Sequence, residues 1–474
     1  MGETALVWFR ADLRVHDNDP LRRAARAERT VPLYCFDPRT FEESAFGLPK
    51  TGPHRARFLR ESVADLRASL RDLGGDLLVR VGPPEDVVPE VASECDVDIV
   101  HHQTLPATEE RSVGAGVEEA LEPTDVHVER HWTHTLYHPE DLASDVDGIP
   151  DTFTPWRKET EAECEVREQA ATPASLTLPD VDTGDVPTHA DLGVPEPADD
   201  DRAVLRFRGG ETAGCERLDE YVWTGDHLRE YKRTRNGLLG ADYSSKVSPW
   251  LAHGCLSPRF VHDEVRRYER ERVATEDTYW LVFELLWRDF FQFQFEKHGG
   301  AFFTRSGIRD VEKGWSTDRE AFARWAAGET GVPFVDANVR ELNETGYMSN
   351  RGRQNVASFL TDVLGLDWRL GAAYFESRLV DYDPCSNWGN WAYVAGVGNH
   401  SRDGHFDVRW QAENYDPDGA YVRTWVPELA AVPGDAVHRP WDLTDDRQAL
   451  YDARLGVDYP RPMVDVDARY DALD

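Results

Sequence analysis

YFESRLVDYDPCSNWGNW, residues 374–391, is the most informative stretch of this chain. It places the carboxylates of Asp381 and Asp383 and the amide of Asn387 among five aromatic residues. Carboxylates are rarely buried among rings unless something polar is held there. Two interpretations are open: a core-facing helix with a polar loop, or a site for a flat heteroaromatic ring such as a flavin. The five aromatic residues are Tyr374, Phe375, Tyr382, Trp388 and Trp391.

The composition indicates adaptation to concentrated salt. The 474 residues carry a formal charge of −35, and only six of the 53 basic residues are lysines. Such a surface stays hydrated at high salt, where screening acts over about 3 Å at 1 M. We expect a haloarchaeal-type cytoplasmic protein, because an ordinary acidic protein would carry more lysine. The same screening weakens the argument that negative charge excludes a nucleic-acid partner.

Cysteine spacing and hydropathy argue against a disulfide-stabilised, a metal-binding and a membrane-spanning protein. The six cysteines show no CxxC pair and no metal-ligand spacing, so we expect neither a disulfide scaffold nor a metal site. No apolar run approaches the roughly 20 residues of a membrane span, and the first residues resemble a strand rather than a signal peptide. We therefore expect no membrane partner.

The first 135 residues alternate β-rich runs with amphipathic segments. This alternation predicts an α/β domain built on a doubly wound parallel sheet. Neither GxGxxG nor a P-loop is present, so a standard dinucleotide domain is excluded. The predicted strands span residues 5–9, 31–36, 77–81, 99–102 and 126–131, and the clearest helix spans 55–73.

Composition also predicts the domain boundaries. Residues 171–201 contain five prolines and eight acidic residues, with no lysine, arginine or aromatic residue, and predict an extended surface linker. The helical, aromatic pattern beyond it predicts an all-α domain. The predicted units are an α/β domain at 1–135, a connector at 136–204, a helical domain at 205–430 and a docked tail at 431–474.

Three clusters in the helical half suggest ligand contacts. Before a helix predicted to begin at Pro249, the serines at 244, 245 and 248 with Lys246 form a group able to hold phosphates, although a serine-rich N-cap is the commoner explanation. On a predicted helix at 279–297, Glu284 lies within an aromatic stripe, where it is costly unless it binds a ligand or partner. That stripe consists of Trp280, Trp287 and Phe291.

A third cluster lies in TGYMSNRGRQN, residues 345–355. Asn350, Arg353 and Gln354 fall on one helical face there. Arg353 is a natural ion-pair partner for a buried carboxylate such as Asp381.

These motifs together resemble the photolyase/cryptochrome family. Their order and spacing over about 150 residues make the likeness specific, and it extends over essentially the whole chain. Finer features resemble the DASH cryptochromes. The family motifs are SSKVS (244–248), ELLWRDFF (284–291), TGYMSNRGRQN, DWR (367–369) and DYDPCSNWGNW (381–391); the DASH-like ones are FGLPKTGPHR (46–55), YKRTRNG (231–237) and NWGNWAY (387–393).

The resemblance implies FAD as the cofactor, in an all-α FAD-binding domain. Asn387 is expected near flavin N5, where an amide can donate or accept as the redox state changes. An electron relay is expected through Trp391, Trp368 and Trp315, although each has the alternative of plain aromatic packing. The residues expected to bind FAD are Tyr231, Ser244, Ser245, Lys246, Val247, Ser248, Trp280, Arg288, Asn350, Arg353, Asp381, Asp383 and Asn387.

The resemblance also implies DNA as the partner. Tyr393 occupies the position where double-strand photolyases usually carry tryptophan, and Gln354 the position where they usually carry methionine. Both changes resemble the DASH pattern, whose wider cavity holds a dimer less firmly. Flipping a dimer out costs least from single strands, so single-stranded DNA is the expected substrate. The expected substrate contacts are Glu284, Trp287, Gln354 and Tyr393, with a positive rim from Arg351, Arg353 and Arg402.

An antenna chromophore is a further implication. TLPATEE, residues 104–110, resembles the family segment whose glutamate binds 5,10-methenyltetrahydrofolate, but loosely. Glu109 and Glu110 also suit the first turn of a helix. A folate, or another antenna, and a helix start both remain open.

Two functions follow from these expectations. The first is a light-driven carbon–carbon lyase of the deoxyribodipyrimidine photolyase type, acting as a monomer on cyclobutane pyrimidine dimers in single-stranded DNA. The second is a blue-light photoreceptor that signals through flavin photoreduction without repair. Glu284 and Trp287 favour the first, whereas Gln354, Tyr393 and the acidic surface favour the second.

Overall fold

The computed structural model describes residues 2–400 and 404–473. Its N-terminal part is built on five strands: β1 (Thr4–Phe9), β2 (Arg29–Phe36), β3 (Leu78–Val81), β4 (Ile99–Gln103) and β5 (His127–His131). All pairings are parallel, and the order is β3-β2-β1-β4-β5. The order reverses between β1 and β4, which makes the sheet doubly wound. The predicted strands and fold class are confirmed.

Helices cover both faces of this sheet, and this burial accounts for the apolar composition of the central strand. β1 is buried along its whole length, as expected for a parallel strand covered on both faces, whereas β5 at the edge is largely exposed. The helix predicted at 55–73 is present as α2, with its apolar side chains at helical spacing against the core. The helices of this part are α1 (Asp19–Ala24), α2 (Pro53–Asp72), α3 (Pro84–Glu94), α4 (Thr108–Leu121) and α5 (Phe153–Glu163).

The acidic connector is extended, but it contributes to the core. Residues 171–201 contain no helix or strand, as predicted. Backbone hydrogen bonds join Thr30 N to Thr177 O at 2.8 Å and Val79 N to Thr183 O at 2.8 Å. Leu176 and Leu192 are buried in the main hydrophobic cluster. The expectation of a purely surface linker was therefore wrong at its few apolar residues, because each points inward from an otherwise polar segment.

The remainder is helical, as predicted. Short 3₁₀ and π segments join the helices, which pack around α10. They are α6 (Glu211–Asp219), α7 (Tyr231–Thr234), α8 (Ser248–Ala252), α9 (Pro258–Glu271), α10 (Glu276–His298), α11 (Arg319–Ala327), α12 (Pro333–Thr345), α13 (Asn350–Ser358), α14 (Trp368–Arg378), α15 (Pro384–Val394), α16 (Val408–Tyr415), α17 (Ala420–Trp425), α18 (Asp445–Leu450) and α19 (Val466–Asp471).

Two glycines allow α15 to approach its neighbours closely. A β-carbon at Gly371 in α14 would collide with the ring of Trp391, and one at Gly389 would collide with the ring of Phe291 in α10. At both contacts, an aromatic ring of one helix therefore packs directly against the backbone of the next helix. The contact at Gly371 packs the ring of Trp391 against the backbone of α14.

The two halves share one core. A single hydrophobic cluster runs from beneath the sheet into the helices, and Asp289 of α10 accepts hydrogen bonds from the backbone of Leu136 and Tyr137 at 2.9 Å each. Residues 431–473 pack on the helices through buried side chains such as Tyr459 and Tyr470. The exact domain boundaries stay predictions. In the described part of the chain, no helix has the length and apolar character needed to cross a membrane.

Candidate FAD and substrate site

A cavity lies where α10, α13 and α15 meet the loop before α8. Its volume is about 420 Å³, within the range of small-molecule sites. Most of the predicted site residues line it. Those that do are Tyr231, Ser244, Ser245, Lys246, Val247, Ser248, Glu284, Trp287, Arg288, Asn350, Arg353, Gln354, Asp381, Asp383, Asn387, Trp391 and Tyr393.

Asp381 is a buried carboxylate with one oxygen left unsatisfied. Its Oδ2 accepts hydrogen bonds from Arg353 Nη2 at 2.8 Å and Ser248 Oγ at 2.6 Å, so the predicted ion pair is present. Burial disfavours the charge of Arg353, but the adjacent Asp381 raises the pKa of the guanidinium. Oδ1 of Asp381 is buried and has no protein partner. A buried acceptor of this kind requires a donor from outside the chain, which fits the edge of a flavin ring.

Asp383 and Asn387 are fixed by bonds within the protein. Asp383 caps α15 by accepting from Ser386 N at 2.6 Å, and it accepts two further bonds from Gln292 Nε2. Asn387 donates Nδ2 to Ala372 O at 3.0 Å. The amide of Asn387 is thereby oriented, with its Oδ1 as the remaining acceptor.

The loop before α8 is preorganised. Lys246 adopts φ +54°, a left-handed conformation that is unfavourable for lysine and typical of ligand-binding loops. Arg217 clamps the loop by donating to Ser245 O at 3.0 Å and Ala241 O at 3.0 Å. Burial, with the nearby Arg217 charge, lowers the pKa of Lys246 to about 7. The helix that follows begins at Ser248, one residue before the predicted start.

Three further residues were predicted to contact FAD, and the structure places each of them in a different setting. Arg288 hydrogen-bonds the backbone carbonyls of His134 and Leu251, which ties α10 to both halves of the chain. Asn350 is exposed at the cavity mouth. Trp280 does not line the cavity; it lies beneath the cations of Lys232 and Arg235, at 4.3 and 5.4 Å from its ring centre.

Glu284 is paired on the cavity wall with a residue that sequence reasoning did not assign. Arg235 Nη1 lies 2.6 Å from Glu284 Oε1, and burial raises the pKa of the carboxyl. Trp287 stacks flat on Phe153 at 3.7 Å and 9°, and meets Tyr393 edge-on at 6.1 Å. Arg235 lies in the quoted YKRTRNG motif, but no local pattern indicated its pairing with a residue 49 positions later.

Gln354 completes this wall. Its Oε1 is buried without a protein partner, so the amide presents an unsatisfied acceptor. Arg351 and Arg353 also line the cavity. Arg402, the third member of the expected positive rim, lies outside the described residues.

The three tryptophans predicted to form the relay lie in connected segments of the helical domain. Trp391 is on the cavity wall and packs on Gly371, three residues after Trp368 in α14. A backbone hydrogen bond joins the segments that carry Trp315 and Trp368. Ser316, the residue after Trp315, accepts it through its backbone O from the N–H of Asp367, the residue before Trp368, at 2.9 Å. Relative exposure is 2% for Trp391, 0% for Trp368 and 8% for Trp315, so Trp315 is the outermost. Trp325 and Trp388 are additional aromatic neighbours, at 6.2 Å from Trp391 and 5.8 Å from Trp368.

The antenna candidates do not line this cavity. Glu109 is exposed and paired with Lys50 at 2.8 Å. Glu110 is partly covered, and burial raises its pKa to about 7. Both occupy the first turn of α4. A second cavity of about 270 Å³, bordered by Trp132 and Glu296, includes neither of them, and the antenna assignment stays a prediction.

Comparison with known proteins establishes the family. A family model described as "DNA photolyase" matches residues 5–176, and one described as "FAD binding domain of DNA photolyase" matches residues 280–473. The chain belongs to the photolyase/cryptochrome family and has its FAD-binding domain. Within that family it is similar to DASH cryptochromes. "Cryptochrome DASH" of Natronomonas pharaonis is 64% identical over 473 residues, covering 99% of this chain and 100% of the relative.

Solved structures of a cryptochrome and a photolyase share this fold. The crystal structure of a Synechocystis cryptochrome superposes with a TM-score of 0.96 at 48% identity, covering 99% of both chains. A class III photolyase from Agrobacterium tumefaciens superposes with a TM-score of 0.86 at 30% identity, covering 100% of this chain and 97% of that one.

Proposed function

We propose that this protein is a blue-light-driven lyase that repairs cyclobutane pyrimidine dimers, preferentially in single-stranded DNA. One observation carries the proposal. The cavity wall that bears the unpartnered Asp381 oxygen faces a second wall with Glu284, held by Arg235, and the flat ring of Trp287. One cavity therefore offers a place for a cofactor and a place for a flat substrate beside it.

The chain's own groups would hold both molecules. Asp381 Oδ1 and Asn387 Oδ1 are acceptors suited to the N–H groups at the edge of a flavin ring. The loop at 244–248 suits the diphosphate, and Lys246 adds positive charge there. Bound FAD supplies, when reduced and excited by blue light, the electron that opens the cyclobutane ring. Trp287 provides stacking area for the dimer, and Glu284 provides a carboxyl group for its polar edge.

A photoreceptor without repair activity is the second candidate. The burial of Trp391, Trp368 and Trp315 supports it, because the electron relay predicted for them would serve photoreduction rather than repair. The acidic surface also weakens attraction to the DNA backbone. The two candidates differ in whether dimers disappear under light.

Loss of dimers under blue light is the direct test. With FAD reduced, in molar salt, we expect repair of a dimer in a single-stranded oligonucleotide and much slower repair in the matching duplex, because flipping from a duplex costs a few kcal/mol more. Glu284→Gln should retain FAD but repair more slowly, since it loses the charge that Arg235 balances. Flavin photoreduction with no dimer loss would favour the photoreceptor, and equal rates on both substrates would contradict the strand preference.

The strand preference should respond to two residues of the substrate wall. Tyr393→Trp adds stacking area beside Trp287, and Gln354→Met replaces an unsatisfied amide with an apolar thioether. The double variant should therefore gain activity on duplex DNA relative to single strands. The ratio of the two repair rates is the measurement, and Tyr451→Trp, outside the cavity lining, is the control. An unchanged ratio would remove these two side chains from the explanation.

Binding of FAD should weaken as pH rises above about 7. Burial lowers the pKa of Lys246 to about 7 in the protein, and an adjacent diphosphate favours the charged form and raises that pKa. Below pH 7 the ammonium is charged in both free and bound states, so affinity is constant. Between pH 7 and the higher bound-state pKa, binding takes up a proton, so affinity falls as pH rises. Reconstitution of the FAD-free protein measures this dependence.

Lys246→Arg is the matched control for that titration. Its guanidinium stays charged throughout this range, so affinity should become insensitive to pH. The same slope in this variant would show that another group titrates.

A further inference from the structure

A cluster of three metal-binding side chains lies on the sheet, remote from the FAD cavity. His101 of β4 is the direct neighbour of Glu129 on β5, and His131 follows two residues later on the same face of β5. His101 and His131 are buried, with relative exposures of 4% and 7%, whereas Glu129 is exposed. Neighbouring parallel strands therefore bring three potential ligands onto one small area at the sheet edge.

The donor atoms have the separations that a tetrahedral ion requires. His101 Nδ1 lies 3.1 Å from His131 Nε2 and 3.4 Å from Glu129 Oε2, and His131 Nε2 lies 4.0 Å from the same oxygen. Donors bound about 2.1 Å from a tetrahedral zinc ion lie roughly 3.4 Å from one another. Sub-ångström adjustments of the exposed Glu129 side chain would complete this arrangement.

The surroundings support ligation by the histidines. Asp19, in the first turn of α1, has Oδ2 3.5 Å from His131 Nδ1. A carboxylate in this position holds the proton on Nδ1 and leaves Nε2 as the ligand, as in carboxylate–histidine–zinc arrangements. Arg23 is the competing cation, but its Nη1 lies 3.8 Å from Glu129 Oε2 while its Nε bonds Asp19 at 2.8 Å. Glu129 is therefore only weakly held by protein groups.

We propose that His101, Glu129 and His131 form a binding site for one divalent transition-metal ion of the zinc type, with water as the fourth ligand. Two imidazoles and one carboxylate favour such an ion over magnesium or calcium, which prefer oxygen ligands. The exposed side of Glu129 gives the ion access. A bound ion would fasten the edge strand β5 to β4.

The spacing of the ligands explains why the sequence did not indicate this site. The expectation of no metal site rested on cysteine patterns. His101 and His131 are 30 residues apart, and only the pairing of β4 with β5 brings them together.

Zinc titration of the FAD-loaded, chelator-treated protein in molar KCl tests the proposal. We expect saturable binding of one equivalent, retained in excess Mg²⁺, and a higher Tm with Zn²⁺ than without it. Glu129→Gln, whose exposed side chain should not affect folding, should weaken binding by at least about tenfold and abolish the Tm shift. His131→Ala should do the same. His127→Ala removes an exposed histidine from the same strand and is the matched control, with binding unchanged.

Three results would overturn the site. The first is the absence of saturable Zn²⁺ binding in the wild-type chain. The second is binding that Glu129→Gln and His131→Ala leave unchanged. The third is an equal loss in His127→Ala, which would indicate general attraction of cations to an acidic surface.

Discussion

Replacing Trp391 with phenylalanine should slow the photoreduction of oxidised FAD by orders of magnitude. Trp391 is the predicted relay tryptophan that lines the cavity, and phenylalanine is much harder to oxidise. Repair by enzyme whose FAD is already reduced should stay nearly intact, because that electron comes from the cofactor. Transient absorption under blue light measures the first rate, and dimer loss after chemical reduction measures the second.

Trp325→Phe is the control for packing. Trp325 is fully buried and lies 6.2 Å from Trp391, so its replacement disturbs the same core without removing the predicted first donor. Photoreduction in this variant should stay close to that of the unmodified protein. Photoreduction of FAD at the normal rate in the Trp391→Phe variant would show that another residue donates the electron. Tyr393, which lines the same cavity, would be the first candidate.

Replacing Asp381 with alanine should weaken FAD retention more than any other single change in the cavity. The substitution removes the unpartnered acceptor and leaves Arg353 without its counter-ion. Breaking a buried ion pair costs about 3–5 kcal/mol, and the lower end applies because 25% of the Arg353 side chain is exposed. Dialysis and absorbance of the released flavin measure retention. Release of FMN instead of FAD would contradict the cofactor assignment.

Asp383→Asn separates this effect from a general loss of carboxylate charge. Both oxygens of Asp383 are satisfied within the protein, by Ser386 and Gln292. Asparagine is as good an N-cap as aspartate, so α15 should keep its start and FAD should be retained better than in Asp381→Ala. Equal loss in the two variants would show that Asp381 has no special part in holding the cofactor.

Local sequence determined the elements and much of the cavity. The short β-rich runs predicted all five strands, and β1 shows the reason most clearly, because a parallel strand buried on both faces must be apolar along its length. The pairing of Arg353 with Asp381 was also predicted, since a buried carboxylate needs a cation and Arg353 lies in a motif beside other polar residues. These inferences depend on residue type and short-range spacing, which the printed sequence contains.

Tertiary structure decided which distant groups meet. Glu284 is paired with Arg235, Trp287 stacks on Phe153, and Asp383 is held by Gln292. No period in the chain relates these partners, because each pair is set by how separate helices pack. The buried leucines of the connector follow the same rule, since a polar segment can direct single apolar side chains inward.

The cluster of His101, Glu129 and His131 shows this division most clearly. The sequence determined that the segments around these residues form strands. Only the parallel register of β4 and β5 placed the three side chains on one face, with donor atoms 3.1 to 4.0 Å apart. A metal site depends on the distances between donor atoms in space. The number of residues between the ligands along the chain does not reveal those distances until the fold is known.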